Sequence, residues 1–156
     1  MNLHLEGKKV FISGSTKGIG FETARLFLEE GAKVIINGRT KKSVETALNS
    51  LNSDNVYGLV ADFIDHSEVK NLIDQIPNDI DVLVNNVGIF RGKEFKDETV
   101  EDWNDHFKVN LMSGVQLSKH FLPEMIKRDW GRIIFISSEC ATPVSYTHLT
   151  LPTTSC

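Results

Sequence analysis

The sequence predicts an α/β domain built on a doubly wound parallel sheet. Short apolar runs alternate with amphipathic stretches along the chain, the pattern of βαβ units. The runs are nearly all-apolar instead of alternating, as expected of strands covered by helices on both faces. A glycine cluster joins the first run to the first amphipathic stretch, so the chain turns sharply there. Right-handed crossovers then place helices on both sides of the sheet.

Each element follows from local signals. Lys9 to Ser13 reads as the first strand and Gly18 to Glu30 as the helix after it, with Gly31 ending that helix. Lys33 to Asn37 is the second strand, Lys41 to Leu51 a helix, and Val56 to Ala61 the third strand. Ser67 to Ile76 is helical and is stopped by Pro77-Asn78. Asp81 to Asn85 is the fourth strand. Thr99 caps a long helix from Val100, with Glu101 and Asp102 in the first turn, where the helix dipole favours acids. Pro123 is expected to interrupt that helix and start a second one. Arg132 to Ser137 is the fifth strand.

Composition narrows the function classes. With 156 residues the chain holds enough material for one domain with one core. Its 17 basic against 21 acidic side chains give a net charge of −4, so a general basic footprint for nucleic acid is missing. No apolar run approaches a membrane span, and the start lacks the apolar segment of a secretory signal. A cytoplasmic location is the expectation. The two cysteines, Cys140 and Cys156, match no metal-ligand spacing, so no metal site is expected. Cys140 reads as a small, partly buried side chain.

The chemistry begins at Ser13-Gly14-Ser15-Thr16-Lys17-Gly18-Ile19-Gly20. Glycines at 14, 18 and 20 let the backbone turn and approach a pyrophosphate, and the free N–H groups of the helix start meet its oxygens. The spacing Gly-x-x-x-Gly-x-Gly resembles the loop of the short-chain dehydrogenases/reductases, which use a Rossmann-type sheet. Asn85-Asn86-Val87-Gly88 resembles the family's Asn-Asn-Ala-Gly element, with Val87 in place of alanine. These motifs run in family order from residue 7 to about 142.

The resemblance implies roles for particular residues. Gly14, Ser15, Thr16, Lys17, Gly18, Ile19, Gly20, Asn86 and Gly88 lie at the cofactor, and Asp62 matches the acid that hydrogen-bonds the adenine. Asn110 matches the helical asparagine that holds a water beside the catalytic lysine, and Ser138 the serine that polarises the substrate carbonyl. The end of the second strand, where an acid would bind the ribose hydroxyls of NAD, carries Gly38 followed by Arg39. Arg39 can fork onto phosphate, and Lys17 adds a second cation, as in NADP-preferring members. NADP(H) is therefore the preferred cofactor, with NAD(H) the alternative.

The family moves a hydride between nicotinamide and a carbonyl or alcohol carbon. A tyrosine exchanges the proton, and a lysine four residues later lowers its pKa from about 10. Here the tyrosine's place falls at Leu151 and the lysine's at Ser155. Tyr146 comes too early, with Thr150 at the lysine offset, and no Tyr-x-x-x-Lys occurs in the chain. The segment Val144 to Thr153 also resembles one reading frame of a transposon-end sequencing adapter. Residues 1–143 thus read as an incomplete NAD(P)-binding domain, truncated after about five strands, and residues 144–156 as a non-native tail.

Such a piece is expected to be inactive, to expose its fifth strand and apolar helix faces, and to derive from a homo-oligomeric parent acting on a small carbonyl or alcohol. The reading from a different class is a non-catalytic NAD(P)-binding regulator on the same scaffold. Ser138 and Asn110 favour the enzyme, since a sensor has no need of them.

Overall fold

Residues 3–137 are described in the computed structural model. The expectations for Ser138, Cys140, Tyr146, Cys156 and the 144–156 tail lie outside the described residues. Strand β1 is Lys9–Ile12, β2 Lys33–Gly38, β3 Val56–Val60, β4 Val82–Asn85 and β5 Arg132–Phe135. They form one parallel sheet in the order β3-β2-β1-β4-β5. The direction of winding reverses between β1 and β4, where Ile12 is in register with Val84 on one side and Ile36 on the other. In such sheets the carboxyl ends of the strands open a crevice at the reversal point.

Both faces are covered, which is why the strands carry apolar residues at successive positions. Val10, Ile12, Val34, Ile36, Val82 and Val84 pack on one face with Ala24 of α1 (Gly18–Glu29) and Ala47 of α2 (Lys41–Leu51). Phe11, Ile35 and Leu83 face the other way, onto Val69 and Leu72 of α3 (His66–Gln75) and Leu117 and Phe121 of the long C-terminal helix.

Helix ends follow the expected chemistry. Gly31, at φ +79°, closes α1, with the Gly31 and Ala32 N–H groups donating back to Leu28 and Phe27. Asp65 caps α3 by accepting from the Ser67 and Glu68 N–H groups, so the helix begins at His66, one residue before the expected start. Thr99 and Asp102 form a reciprocal capping box at the start of α4 (Val100–His106).

The long helix departs from expectation at two places. A π-helical segment, Phe107–Met112, links α4 to α5 (Ser113–Lys127). Pro123, expected to break the helix, lies inside α5, which continues to Lys127. The reason is its position. Pro123 and Lys119, whose carbonyl loses its partner, are both exposed, while Leu117, Phe121 and Met125 hold the opposite face on the sheet. Strand β5 is apolar in sequence yet exposed at Ile134 and Phe135, and it forms an edge of the sheet among the described residues.

Candidate nucleotide-binding site

The loop between β1 and α1 is fixed by polar side chains at three strand ends. Gly14 adopts φ +61°, and a Cβ there would lie 2.9 Å from Val87 Cα, so conformation and space both require glycine. Asn37, at the end of β2, accepts the Gly14 N–H at 3.1 Å through Oδ1. The Ser15 hydroxyl donates to the Ile12 carbonyl (2.6 Å) and accepts the Asn37 N–H (2.9 Å). From the β4 side the Asn86 amide donates to the carbonyls of Ser13 (3.0 Å) and Gly14 (2.9 Å). In return Ser13 Oγ accepts the N–H groups of Asn86 and Val87. Gly20 packs under this lock, where a Cβ would meet Asn86 Nδ2 at 2.4 Å and the Gly14 carbonyl oxygen at 2.8 Å.

The result is a helix start open to an anion. Helices α2, α3 and α4 are each capped by a side chain, from Thr40, Asp65 and Thr99, whereas α1 begins after Lys17 with no side-chain cap. Its first-turn N–H groups are left for a ligand. Gly18, at φ +59°, has no atom within 4 Å of where a Cβ would be. That clearance lets a diphosphate come against the backbone, so the residues present fit a dinucleotide cofactor.

A cleft of about 720 Å³ opens above this loop. Of the residues singled out in the sequence, Gly14, Thr16, Lys17, Gly18, Arg39, Asp62, Asn86 and Gly88 line it. Lys17 and Arg39 are exposed and pair with no carboxylate among the described residues. Asp62 accepts the Ile64 N–H at 3.0 Å, which orients its carboxylate at the cleft wall. Gly38 is buried beneath Thr16 and Ser43.

The far wall is built by the segment after β4. Asn110, in the π segment, clamps Ile89 with both ends of its amide: Oδ1 accepts the Ile89 N–H at 2.7 Å and Nδ2 donates to the Ile89 carbonyl at 3.0 Å. Arg91 lines the cleft and donates to Asp102 (2.7 Å) and Asp105 (2.6 Å). Asp102 also accepts from Lys93 Nζ (2.6 Å) and from the Thr99 N–H and hydroxyl (2.9 Å each). The Lys93 ammonium, the Thr99 N–H and the Arg91 guanidinium hold its carboxyl far below the usual carboxylate range.

Four of the described sequence-selected residues, Ser15, Ile19, Gly20 and Asn110, do not line the cleft. Ser15 is buried with its hydroxyl committed to the backbone, Gly20 is buried under the loop, and the Ile19 side chain is exposed without lining the cleft. Asn110 acts on the wall through Ile89. Sequence reasoning assigned no site role to Asn37 or Arg91, named Ser13 only as the start of the loop, and read Asp102 only as a first-turn acid. A polar residue ending an otherwise apolar strand, as in Lys33–Asn37, was the available signal for Asn37.

Fold and site together define an α/β protein of the Rossmann-type nucleotide-binding class. The family profile for short chain dehydrogenases matches residues 8–151. The chain is 46% identical over 142 residues to the Uncharacterized oxidoreductase YvrD of Bacillus subtilis, covering 89% of this chain and 54% of that protein. It is 39% identical over 137 residues to the 3-oxoacyl-[acyl-carrier-protein] reductase FabG of Haemophilus influenzae, covering 86% and 56% respectively. A solved short chain dehydrogenase/reductase family protein superposes with a TM-score of 0.82 at 33% identity, over 90% of this chain and 58% of that one. The chain belongs to the short-chain dehydrogenase/reductase family, and it spans about half the length of the curated relatives it matches.

Proposed function

We propose that the complete protein is an NADP(H)-dependent oxidoreductase acting on a small carbonyl or alcohol. The observation that carries the cofactor preference is the end of β2, where Gly38 stands in place of an acid between two cations, Lys17 and Arg39, that have no carboxylate partner among the described residues. Unpaired cations on a cleft wall attract a 2′-phosphate, and no carboxylate at this position repels it. When bound, the nicotinamide would provide the hydride chemistry. The chain's own residues bind and orient: the uncapped start of α1 and Gly18 receive the diphosphate, and Asp62 takes the adenine. Asn110 holds the wall at Ile89, and Ser138 donates a hydrogen bond to the carbonyl oxygen as charge develops there.

The reductase name of the Haemophilus influenzae relative supports a carbonyl substrate. Because the chain has no Tyr-x-x-x-Lys, it binds cofactor without turnover. An exposed apolar stripe, Trp103, Phe107, Leu111 and Val115, runs along α4, the π segment and α5 at helical spacing. It supports pairing with a second copy. No helix among the described residues is long and apolar enough to cross a membrane, and we place the protein in the cytoplasm.

Calorimetric titration with NADP⁺ and NAD⁺ tests the reading. Tighter NADP⁺ binding is expected, and equal or tighter NAD⁺ binding rejects the preference.

A further inference from the structure

Residue 38 is constrained from across the cleft. A Cβ built on Gly38 would lie 2.4 Å from Thr16 Cγ2, 3.0 Å from Ser43 Oγ and 3.1 Å from Val44 Cγ2. Carbon atoms in contact normally stay about 3.5–4.0 Å apart, so the Thr16 methyl already fills the volume a side chain at 38 would enter. Thr16 has little freedom to leave. It is β-branched and stiff at χ1, and its neighbour Ser15 is tied by backbone and hydroxyl bonds to Ile12 and Asn37.

We propose that Thr16 is a specificity-determining residue of the cofactor site, acting as a steric gate on position 38. Its methyl group closes the end of β2 to an acidic side chain that would hydrogen-bond a ribose diol. Arg39, Thr40 and Ser43, which line the same part of the cleft, are then left to meet the ribose. A guanidinium and two hydroxyls suit a ribose 2′-phosphate. The choice between cofactors is thus a property of the pair 16 and 38. Exchanging residue 38 alone puts a Cβ into occupied space; exchanging both supplies the carboxylate and removes the closest of the three contacts, leaving Ser43 and Val44 to give by a few tenths of an ångström. This rests on the NADP(H) reading above.

The test is a double-mutant cycle in the 156-residue chain, with NADP⁺ and NAD⁺ titrated calorimetrically into wild type, Thr16→Ala, Gly38→Asp and the double variant. The two dinucleotides differ only by the 2′-phosphate, so their affinity ratio reports recognition at the ribose and is not moved by a general loss of stability. Wild type and Thr16→Ala are expected to prefer NADP⁺. Gly38→Asp should weaken both dinucleotides by about tenfold or more, and adding Thr16→Ala should recover NAD⁺ binding and invert the preference.

Inversion by Gly38→Asp alone with undiminished NAD⁺ affinity, or a double variant no better than Gly38→Asp, overturns the gate. Far-UV circular dichroism checks each variant. If Gly38→Asp fails to fold, Gly38→Ala replaces it: its methyl should weaken NADP⁺ binding beside Thr16 and not beside Ala at position 16, and equal weakening in both backgrounds overturns the proposal. Equal wild-type affinity for the two dinucleotides would remove the NADP(H) reading, while the coupling of 16 to 38 in NAD⁺ binding would still decide the gate.

Discussion

Gly20→Ala separates the packing role of the glycine loop from its ligand role. The added methyl would sit 2.4 Å from Asn86 Nδ2, 2.8 Å from the Gly14 carbonyl oxygen and 2.9 Å from Ser15 Cα, two of them backbone atoms of the loop. Overpacking of this kind costs about 1–3 kcal/mol. Displacing the Asn86 amide also strains its bonds to Ser13 and Gly14, worth about 1 kcal/mol each. Against this, alanine gains up to about 1 kcal/mol over glycine within a helix. The net loss is about 2–4 kcal/mol, or a fall in Tm of about 5–15 °C. Gly18→Ala is the control. Its methyl meets nothing, and its cost is the left-handed backbone alone, about 1–2 kcal/mol. Its larger effect should be on dinucleotide affinity, because the methyl points into clearance that the diphosphate needs. Urea unfolding followed by circular dichroism gives both stabilities. A Gly20→Ala protein within about 0.5 kcal/mol of wild type refutes the packing argument.

Ser15→Ala should destabilise by about 1–3 kcal/mol in the same urea assay, since it leaves the buried Asn37 N–H without its acceptor. An unchanged midpoint would show that the Ser15–Asn37 tie is dispensable. Asn110→Ala removes both bonds to Ile89 and should cost about 2 kcal/mol. Hydrogen exchange at the Ile89 amide should quicken, and unaltered protection there would contradict the clamp. Asp102 sets an acid limit on the far wall. Its carboxyl is held far below the ordinary value by Lys93, Thr99 and Arg91, so the stability it contributes is fully present above the unfolded pKa of about 4. That stability is lost as pH falls below this value toward the depressed folded pKa. Asp102→Asn should therefore melt lower than wild type at pH 7 and converge with it as the solution is acidified; a difference that stays constant with pH would show that the charge is not responsible.

The strands, their parallel arrangement and the glycine loop were legible because they rest on local signals, apolar runs bounded by glycines and capping residues, whereas the strand order came from the structure. The Thr99 cap was visible from the same local signals, but the reciprocal bond from Asp102 that makes it a capping box was not. The Pro123 error came from reading proline by its intrinsic cost. Whether a helix survives it depends on which face carries the exposed carbonyl, and the long helix is held by Leu117 and Phe121 on the sheet side. The site was legible as a list of positions but not as a division of labour. Ser15 was placed at the cofactor on resemblance, whereas its hydroxyl is spent on Ile12 and Asn37. Ser13 and Asn37 reach partners 71–74 and 22–24 residues away, contacts that no local spacing encodes. Asp102 read as a dipole-favoured acid, and only the structure brings Arg91 and Lys93 onto it. Thr16 likewise read as one more loop residue until Gly38 was found directly beneath its methyl.

Amide chemical-shift mapping with NADP⁺ locates the dinucleotide on the fold. Saturable shifts are expected at Gly14 to Gly20, Arg39, Asp62 and Asn86 to Gly88, with the opposite end of the sheet around Trp130 and Arg132 unmoved. Saturation without shifts in the glycine segment, or no saturable binding, would contradict a cofactor site at that loop.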